Sequence, residues 1–156
     1  MNIIIEGPDG AGKTYLANQL AELLGMTIQH FGAPADNIEA AQQYDMYYDY
    51  VQNNMFWNTI IDRAWYSDMV YGPIFRGKQH ISVNMMLHLE RLIDDCVIIY
   101  CTGTPKLMWK AAQERGENYV TTYEQYKAIC RAYDKLFITH KHILPIHKRF
   151  ATWLEH

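Results

Sequence analysis

Gly7-Pro8-Asp9-Gly10-Ala11-Gly12-Lys13-Thr14 lies between an apolar run, Ile3-Ile4-Ile5, and a helical pattern carrying Leu16, Leu20, Leu23 and Leu24. The spacing is G-x-x-x-x-G-K-T, and each residue type in it suits phosphate. Glycines let backbone N–H groups turn inward around phosphate oxygens, Lys13 supplies a mobile cation, and the Thr14 hydroxyl suits a Mg²⁺ shell. The N-terminus of the following helix adds partial positive charge. The stretch is therefore read as a phosphate-binding loop, with Gly7, Asp9, Gly10, Ala11, Gly12, Lys13 and Thr14 around a polyphosphate.

Outward from the loop, strands and helices alternate. The first helix runs from about Lys13 to Leu24 and stops at Gly25. Thr27 to Phe31 reads as a second strand. Asp36 with Glu39 resembles a capping pair opening a helix whose apolar face is Ala41, Tyr44, Tyr48 and Val51. Asn58 to Asp62 reads as a strand that delivers Asp62-Arg63 to its carboxyl end, where open α/β sheets keep their chemistry. A helical segment follows from Ala64 to Tyr71, broken by Gly72-Pro73, then a loop holding Arg76-Gly77-Lys78. A helix from about Ser82 to Asp94, an apolar strand from Cys96 to Cys101 and a helix opened by Thr104-Pro105 come next. Arg115-Gly116-Glu117-Asn118 separates that helix from another, about Tyr123 to Ile138, and His142 to Ile146 closes the series as a fifth strand. This alternation predicts α/β architecture: a parallel sheet covered by helices on both faces.

The chain has 156 residues, 49% apolar and 20% charged, which suits one globular domain with a real core. We expect a single domain over residues 1–153, with 154–156 read as the remnant of an expression tag. The net charge of −3 gives no broad attraction for nucleic acid and disfavours a polyanion-binding module. The three cysteines, Cys96, Cys101 and Cys130, contain no C-x-x-C pair and are read as reduced and structural. With no membrane-length apolar stretch and a strand at the N-terminus in place of a signal peptide, a cytoplasmic protein is expected. His140, His142 and His147 lack metal-ligand helix spacing, so no metal is expected on them.

Ile5 to Thr14, I-E-G-P-D-G-A-G-K-T, closely resembles the opening of thymidylate kinases. Asp62-Arg63-Ala64-Trp65-Tyr66-Ser67 is similar to that family's segment of the form D-R-Y/x-x-x-S, and Glu114-Arg115-Gly116-Glu117 looks like its lid. In its details the second segment is most similar to small phage-type members, a resemblance that implies the host cytoplasm if the protein is phage-encoded. The resemblance implies a three-layer P-loop kinase fold with a five-stranded parallel sheet in the order 2-3-1-4-5 and a short lid near residues 115–121. It implies ATP and Mg²⁺ as cofactors, a small nucleotide as partner, no membrane, and a homodimer as the usual assembly. Residue by residue it implies Lys13, Arg63 and Arg115 as catalytic, Thr14 and Asp62 at the metal, Asp9 on the sugar 3′-hydroxyl, and Arg63 with Arg76 on the acceptor phosphate. The loop carries no arginine of its own, so transition-state charge falls to Arg115. Tyr44, Tyr47, Tyr48, Phe31 and Phe75 offer faces for a base.

The chain also departs from the family. His30-Phe31-Gly32-Ala33-Pro34 stands where an R-E-P-like segment would supply another acceptor-phosphate arginine, and Tyr71-Gly72 replaces a Y-Q pair, which removes an amide suited to the base. A deoxynucleoside kinase would need a base for the 5′-hydroxyl and carries a carboxylate after the second strand; Gln29 to Pro34 contains none. The sequence therefore points first to phosphorylation of a deoxynucleoside monophosphate, dTMP or a related pyrimidine. A deoxynucleoside kinase, a kinase acting on a modified base in phage DNA, and a non-catalytic nucleotide-binding module stay open beside it.

Overall fold

Ile3, Ile4 and Ile5 are all buried, as are Ile60 and Ile61. Neighbouring residues of one strand point to opposite faces, so runs buried at every position mean a sheet covered on both sides. The computed structural model describes residues 1–35, 37–54, 58–93, 95–117, 119–137 and 143–147. Its strands are β1 (Asn2–Glu6), β2 (Thr27–His30), β3 (Thr59–Asp62), β4 (Cys96–Thr102) and β5 (Ile143–His147). They form one five-stranded sheet in the order β2-β3-β1-β4-β5, with every neighbouring pair parallel. This is the predicted order. The register sets Ile5 opposite both Asp62 and Ile99, so the ends of β1 and β3 reach the same edge of the sheet.

The helices are α1 (Lys13–Leu24), α2 (Ala40–Asp49), α3 (Trp65–Tyr71), α4 (Val83–Leu92), α5 (Pro105–Glu114) and α6 (Tyr123–Phe137). Ser82 caps α4 by accepting from the Met85 N–H at 3.2 Å. The Gly25 N–H closes α1 on the Ala21 carbonyl. At α2 the capping pair is Glu39 with Gln42, each side chain meeting the other's backbone. The inward face of α2 also differs from expectation. Gln43, Tyr47 and Val51 are buried while Tyr48 is exposed, because the helix turns a polar residue, Gln43, inward beside the Tyr47 hydroxyl. Apolar counting alone sets the face about one residue off.

Gly72-Pro73 does not break α3 into a loop. A single π turn, Gly72–Arg76, continues it, and the wider turn tolerates a proline that has no N–H to give. Arg76 is thereby carried back toward α3. Asp36, Asp94, Asn118, Ile138, His140, His142 and residues 154–156 lie outside the described residues. Among the described residues, no helix is long and apolar enough to cross a membrane. Cys96, Cys101 and Cys130 are free thiols.

Candidate active site

β1 ends in Glu6, and the loop that follows turns on two glycines for which a side chain has no room. Gly7 has φ 145°, and a Cβ there would run into the Cys101 carbonyl. Gly10 has φ 74°, and a Cβ there would meet the Met108 carbonyl on α5. Both conformations are ones L side chains rarely adopt. The loop is thus seated against β4 and α5, and the Tyr126 hydroxyl of α6 donates to the Asp9 carbonyl.

Lys13 is buried and its Nζ donates to the Pro8 carbonyl at 2.6 Å. Burial first, then the neighbouring Arg63 charge, brings its pKa down to about 8, against a weaker upward pull from Asp9 and Asp62. Among the described residues no carboxylate pairs directly with the ammonium, a state that suits the polyphosphate expected from the sequence. The Thr14 hydroxyl lies 3.3 Å from Asp62 Oδ2, and His30 Nδ1 lies 3.2 Å from the same oxygen. Asp62 is buried at the end of β3, and its Oδ1 has no hydrogen-bond partner among the described residues. An orphaned carboxylate oxygen beside a threonine hydroxyl fits a hard divalent cation, and Thr14 with Asp62 are the residues that would hold Mg²⁺. Bound there, the ion would neutralise phosphate charge. Among the described residues, no cluster of three or more His, Cys, Asp or Glu forms a separate metal cage.

The residue after Asp62 is held with unusual backbone geometry. Arg63 has φ 67°, a left-handed conformation that costs a non-glycine residue about 1 kcal/mol or more. The strain is held by its N–H bonding to Ile5 at 3.0 Å and by buried Glu6. Glu6 accepts from the Ala64 N–H at 2.6 Å, the Ser67 N–H at 3.3 Å and the Ser67 hydroxyl at 2.7 Å. Burial raises the Glu6 pKa, and the Ala64 N–H is the largest influence opposing it. The Arg63 guanidinium pairs with Asp9 and lies 5.7 Å over the Tyr71 ring.

Two cavities open on this edge. The first, about 310 Å³, is lined by Gly10, Gly12, Lys13, Thr14, Arg115 and Glu117, and so holds the residues read from the sequence as the phosphate side. The second, about 250 Å³, is lined by Phe31, Pro34, Tyr47, Ser67, Asp68, Tyr71 and Arg76, among others. Asp9, His30, Arg63 and Tyr119 line both and form the seam between them. Of the predicted residues, Asp9, Gly10, Gly12, Lys13, Thr14, Arg63 and Arg115 gather at the phosphate side, with Asp62 bonded to Thr14. Gly7 and Ala11 shape the loop from behind. Arg76 lies on the second cavity only, 2.5 Å from Asp68, and Asp68 also accepts from the Ile81 N–H at 3.2 Å. Burial raises the Asp68 pKa, and Arg76 is the strongest influence opposing it.

The aromatic candidates divide. Phe31 and Tyr47 line the second cavity and meet edge to face at 5.2 Å between ring centres. Phe75 stacks behind Tyr71. Tyr44 and Tyr48 pack on each other and on His88, away from it. Sequence reading missed Glu6, His30, Ser67, Asp68 and Tyr119. His30 carried one signal, its place at the carboxyl end of a strand.

No protein-family model matches the chain, and no curated protein matches it. Solved structures do. The YorR protein of Bacillus subtilis, in complex with phosphorylated GDP, superposes with a TM-score of 0.80 at 22% identity, over 100% of this chain and 98% of that one. Deoxyadenosine kinase from M. mycoides with bound dATP gives 0.65 at 19% identity, over 99% of this chain and 96% of that one. A gluconokinase from Sinorhizobium meliloti gives 0.62 at 9% identity, over 94% and 81%. At these identities the likeness shows the fold alone, a parallel α/β sheet flanked by helices that this chain shares with YorR, a deoxyadenosine kinase and a gluconokinase.

Proposed function

We propose that the protein is an ATP- and Mg²⁺-dependent kinase that phosphorylates a deoxynucleoside monophosphate, dTMP or a related pyrimidine. The observation that carries this reading is the seam: the phosphate cavity and the second cavity share Asp9, His30, Arg63 and Tyr119. A γ-phosphate held by Lys13 on one side would face an acceptor oxygen on the other, the arrangement that in-line transfer needs. The bond from the γ-phosphorus to the ADP oxygen breaks as a bond to the acceptor oxygen forms. An ionised phosphomonoester oxygen needs no base, so the products are ADP and a nucleoside diphosphate with no proton released to a side chain.

The ion pair at the seam gives the acceptor both its handles. An entering monophosphate would draw Arg63 away from Asp9 and leave the carboxylate free to accept from the sugar hydroxyl. Arg115, at the lip of the phosphate cavity, is the cation placed to meet charge on the transferring group. The apolar walls of the second cavity suit a base, and Arg76 with Asp68 at its far end offer donor and acceptor atoms to the base edge.

A deoxynucleoside acceptor is a second reading, favoured by one observation: both arginines of the second cavity already have carboxylate partners. An uncharged acceptor would leave those pairs intact. ADP release with ATP and Mg²⁺, measured across deoxynucleoside monophosphates, deoxynucleosides, modified pyrimidines and duplex DNA, separates the readings. Stimulation by a monophosphate supports the first. Stimulation by nucleosides alone supports the second, and nucleotide binding without turnover on any acceptor would leave a non-catalytic module.

A further inference from the structure

Tyr119 stands apart from the other residues of the seam. It belongs to the connection between α5 and α6, and half of it is exposed, at 50%. Its amphipathic ring thus has one face toward the cavities and open to a ligand. Its ring lies 4.9 Å from Phe75 and 6.1 Å from Tyr71, centre to centre. Tyr71 in turn stacks on Phe75 at 5.9 Å and sits under the Arg63 guanidinium. Val120, the next residue, is buried and anchors the backbone at this point. Arg115 and Glu117, shortly before it, line the phosphate cavity alone.

One short connection thus touches both substrates' cavities, and Tyr119 is its contact with the second. We infer that Tyr119 is a specificity-determining residue that covers the acceptor and couples acceptor occupancy to the placement of Arg115. The inference rests on the kinase reading above and deepens it, and it applies to a monophosphate or a nucleoside alike. A base in the second cavity meets the exposed face of Tyr119 while Phe75 and Tyr71 support the ring from behind. With the ring fixed, the connection holds Arg115 at the phosphate cavity; with the cavity empty, the ring has the aromatic wall on one side only. Linkage makes the effect reciprocal, so the acceptor tightens ATP binding by the same factor that ATP tightens the acceptor.

The test uses wild type, Tyr119→Phe and Tyr119→Ala. The probes are the four common deoxynucleoside monophosphates and deoxynucleosides, and the one wild type turns over fastest is carried forward. Stacking of a base on an aromatic ring predicts a rise of about tenfold in acceptor KM for Tyr119→Ala, with Tyr119→Phe within about twofold of wild type. Calorimetry with a non-hydrolysable ATP analogue gives each protein its own Kd without acceptor, to which Tyr119 contributes as a wall of both cavities, and the readout is the ratio of that Kd to the value with acceptor present. Acceptor should tighten that Kd for wild type and Tyr119→Phe, and not for Tyr119→Ala. An acceptor KM unchanged in Tyr119→Ala, or an analogue Kd weakened equally with and without acceptor, overturns the role of Tyr119 and leaves the kinase reading standing. Failure of every probe to bind or react with wild type overturns both.

Discussion

Raising the pH through the range where Lys13 loses its proton tests the heart of the phosphate site without changing a residue. Between the ordinary lysine value of 10.5 and the value of about 8 in this fold lies about 3 kcal/mol of penalty on the ammonium form. Lys13 is 6% exposed, so solvent screening relieves little of that penalty. Bound polyphosphate stabilises the ammonium and carries its pKa upward again. The empty protein must therefore take up a proton to bind ATP above pH 8, and affinity falls as pH rises. With a free-state value of about 8, the Kd for Mg-ATP should weaken roughly 25-fold between pH 7.5 and 9.5. The stability of the empty protein moves the other way. The folded state sheds its buried charge from about pH 8 while the unfolded chain keeps the proton to about 10.5, so this group makes folding more favourable across that window. Calorimetry of ATP binding and denaturant unfolding, each run beside Lys13→Met over the same pH series, read both effects. A wild-type Kd that stays flat to pH 9.5, or one that Lys13→Met follows along the same curve, refutes the reasoning.

Gly10→Ala should destabilise the fold by about 2–4 kcal/mol, since it adds a left-handed alanine to a clash with the Met108 backbone. A melting curve should show a loss of roughly 5–12 °C, and an unchanged Tm would show that α5 does not confine the loop. Glu6→Ala leaves the Ala64 N–H and the Ser67 N–H without their acceptor and takes one partner from the Ser67 and Tyr133 hydroxyls, which keep each other at 2.8 Å, at a cost of about 3–5 kcal/mol. Glu6→Gln keeps one acceptor oxygen and should cost less; equal losses in urea unfolding would count against the buried carboxylate as organiser of the Arg63 segment. Arg63→Ala should lower kcat/KM for the acceptor at least about a hundredfold while leaving the Kd for ATP within about threefold. Loss of ATP binding alone would place Arg63 on the donor side.

The parallel sheet was legible because fully apolar strands and the G-x-x-x-x-G-K-T spacing are both local signals, whereas its strand order came from the family resemblance, since periodicity does not say which strands become neighbours. Asp62 and Arg63 were legible too, since a charged pair closing an apolar strand marks the chemical edge of a parallel sheet. Glu6 was not, because its role depends on donors at Ala64 and Ser67, brought to it only when β3 joins β1. Gln43 hid among polar residues, and the inward face of α2 shifted with it. Arg76 was read as an acceptor-phosphate ligand under the family resemblance, and its pairing with Asp68, eight positions earlier, was not legible because it depends on the π turn after Tyr71. Tyr119 lay in the segment read as a lid, but nothing in a single sequence says that a tyrosine there will stand between two cavities.

Mass spectrometry of the products formed from ATP, Mg²⁺ and the deoxynucleoside monophosphate panel tests the central claim most directly. The account predicts a deoxynucleoside diphosphate in step with ADP for at least one pyrimidine monophosphate, with the signal lost in Arg63→Ala. ATP bound and no diphosphate formed from any monophosphate would contradict it.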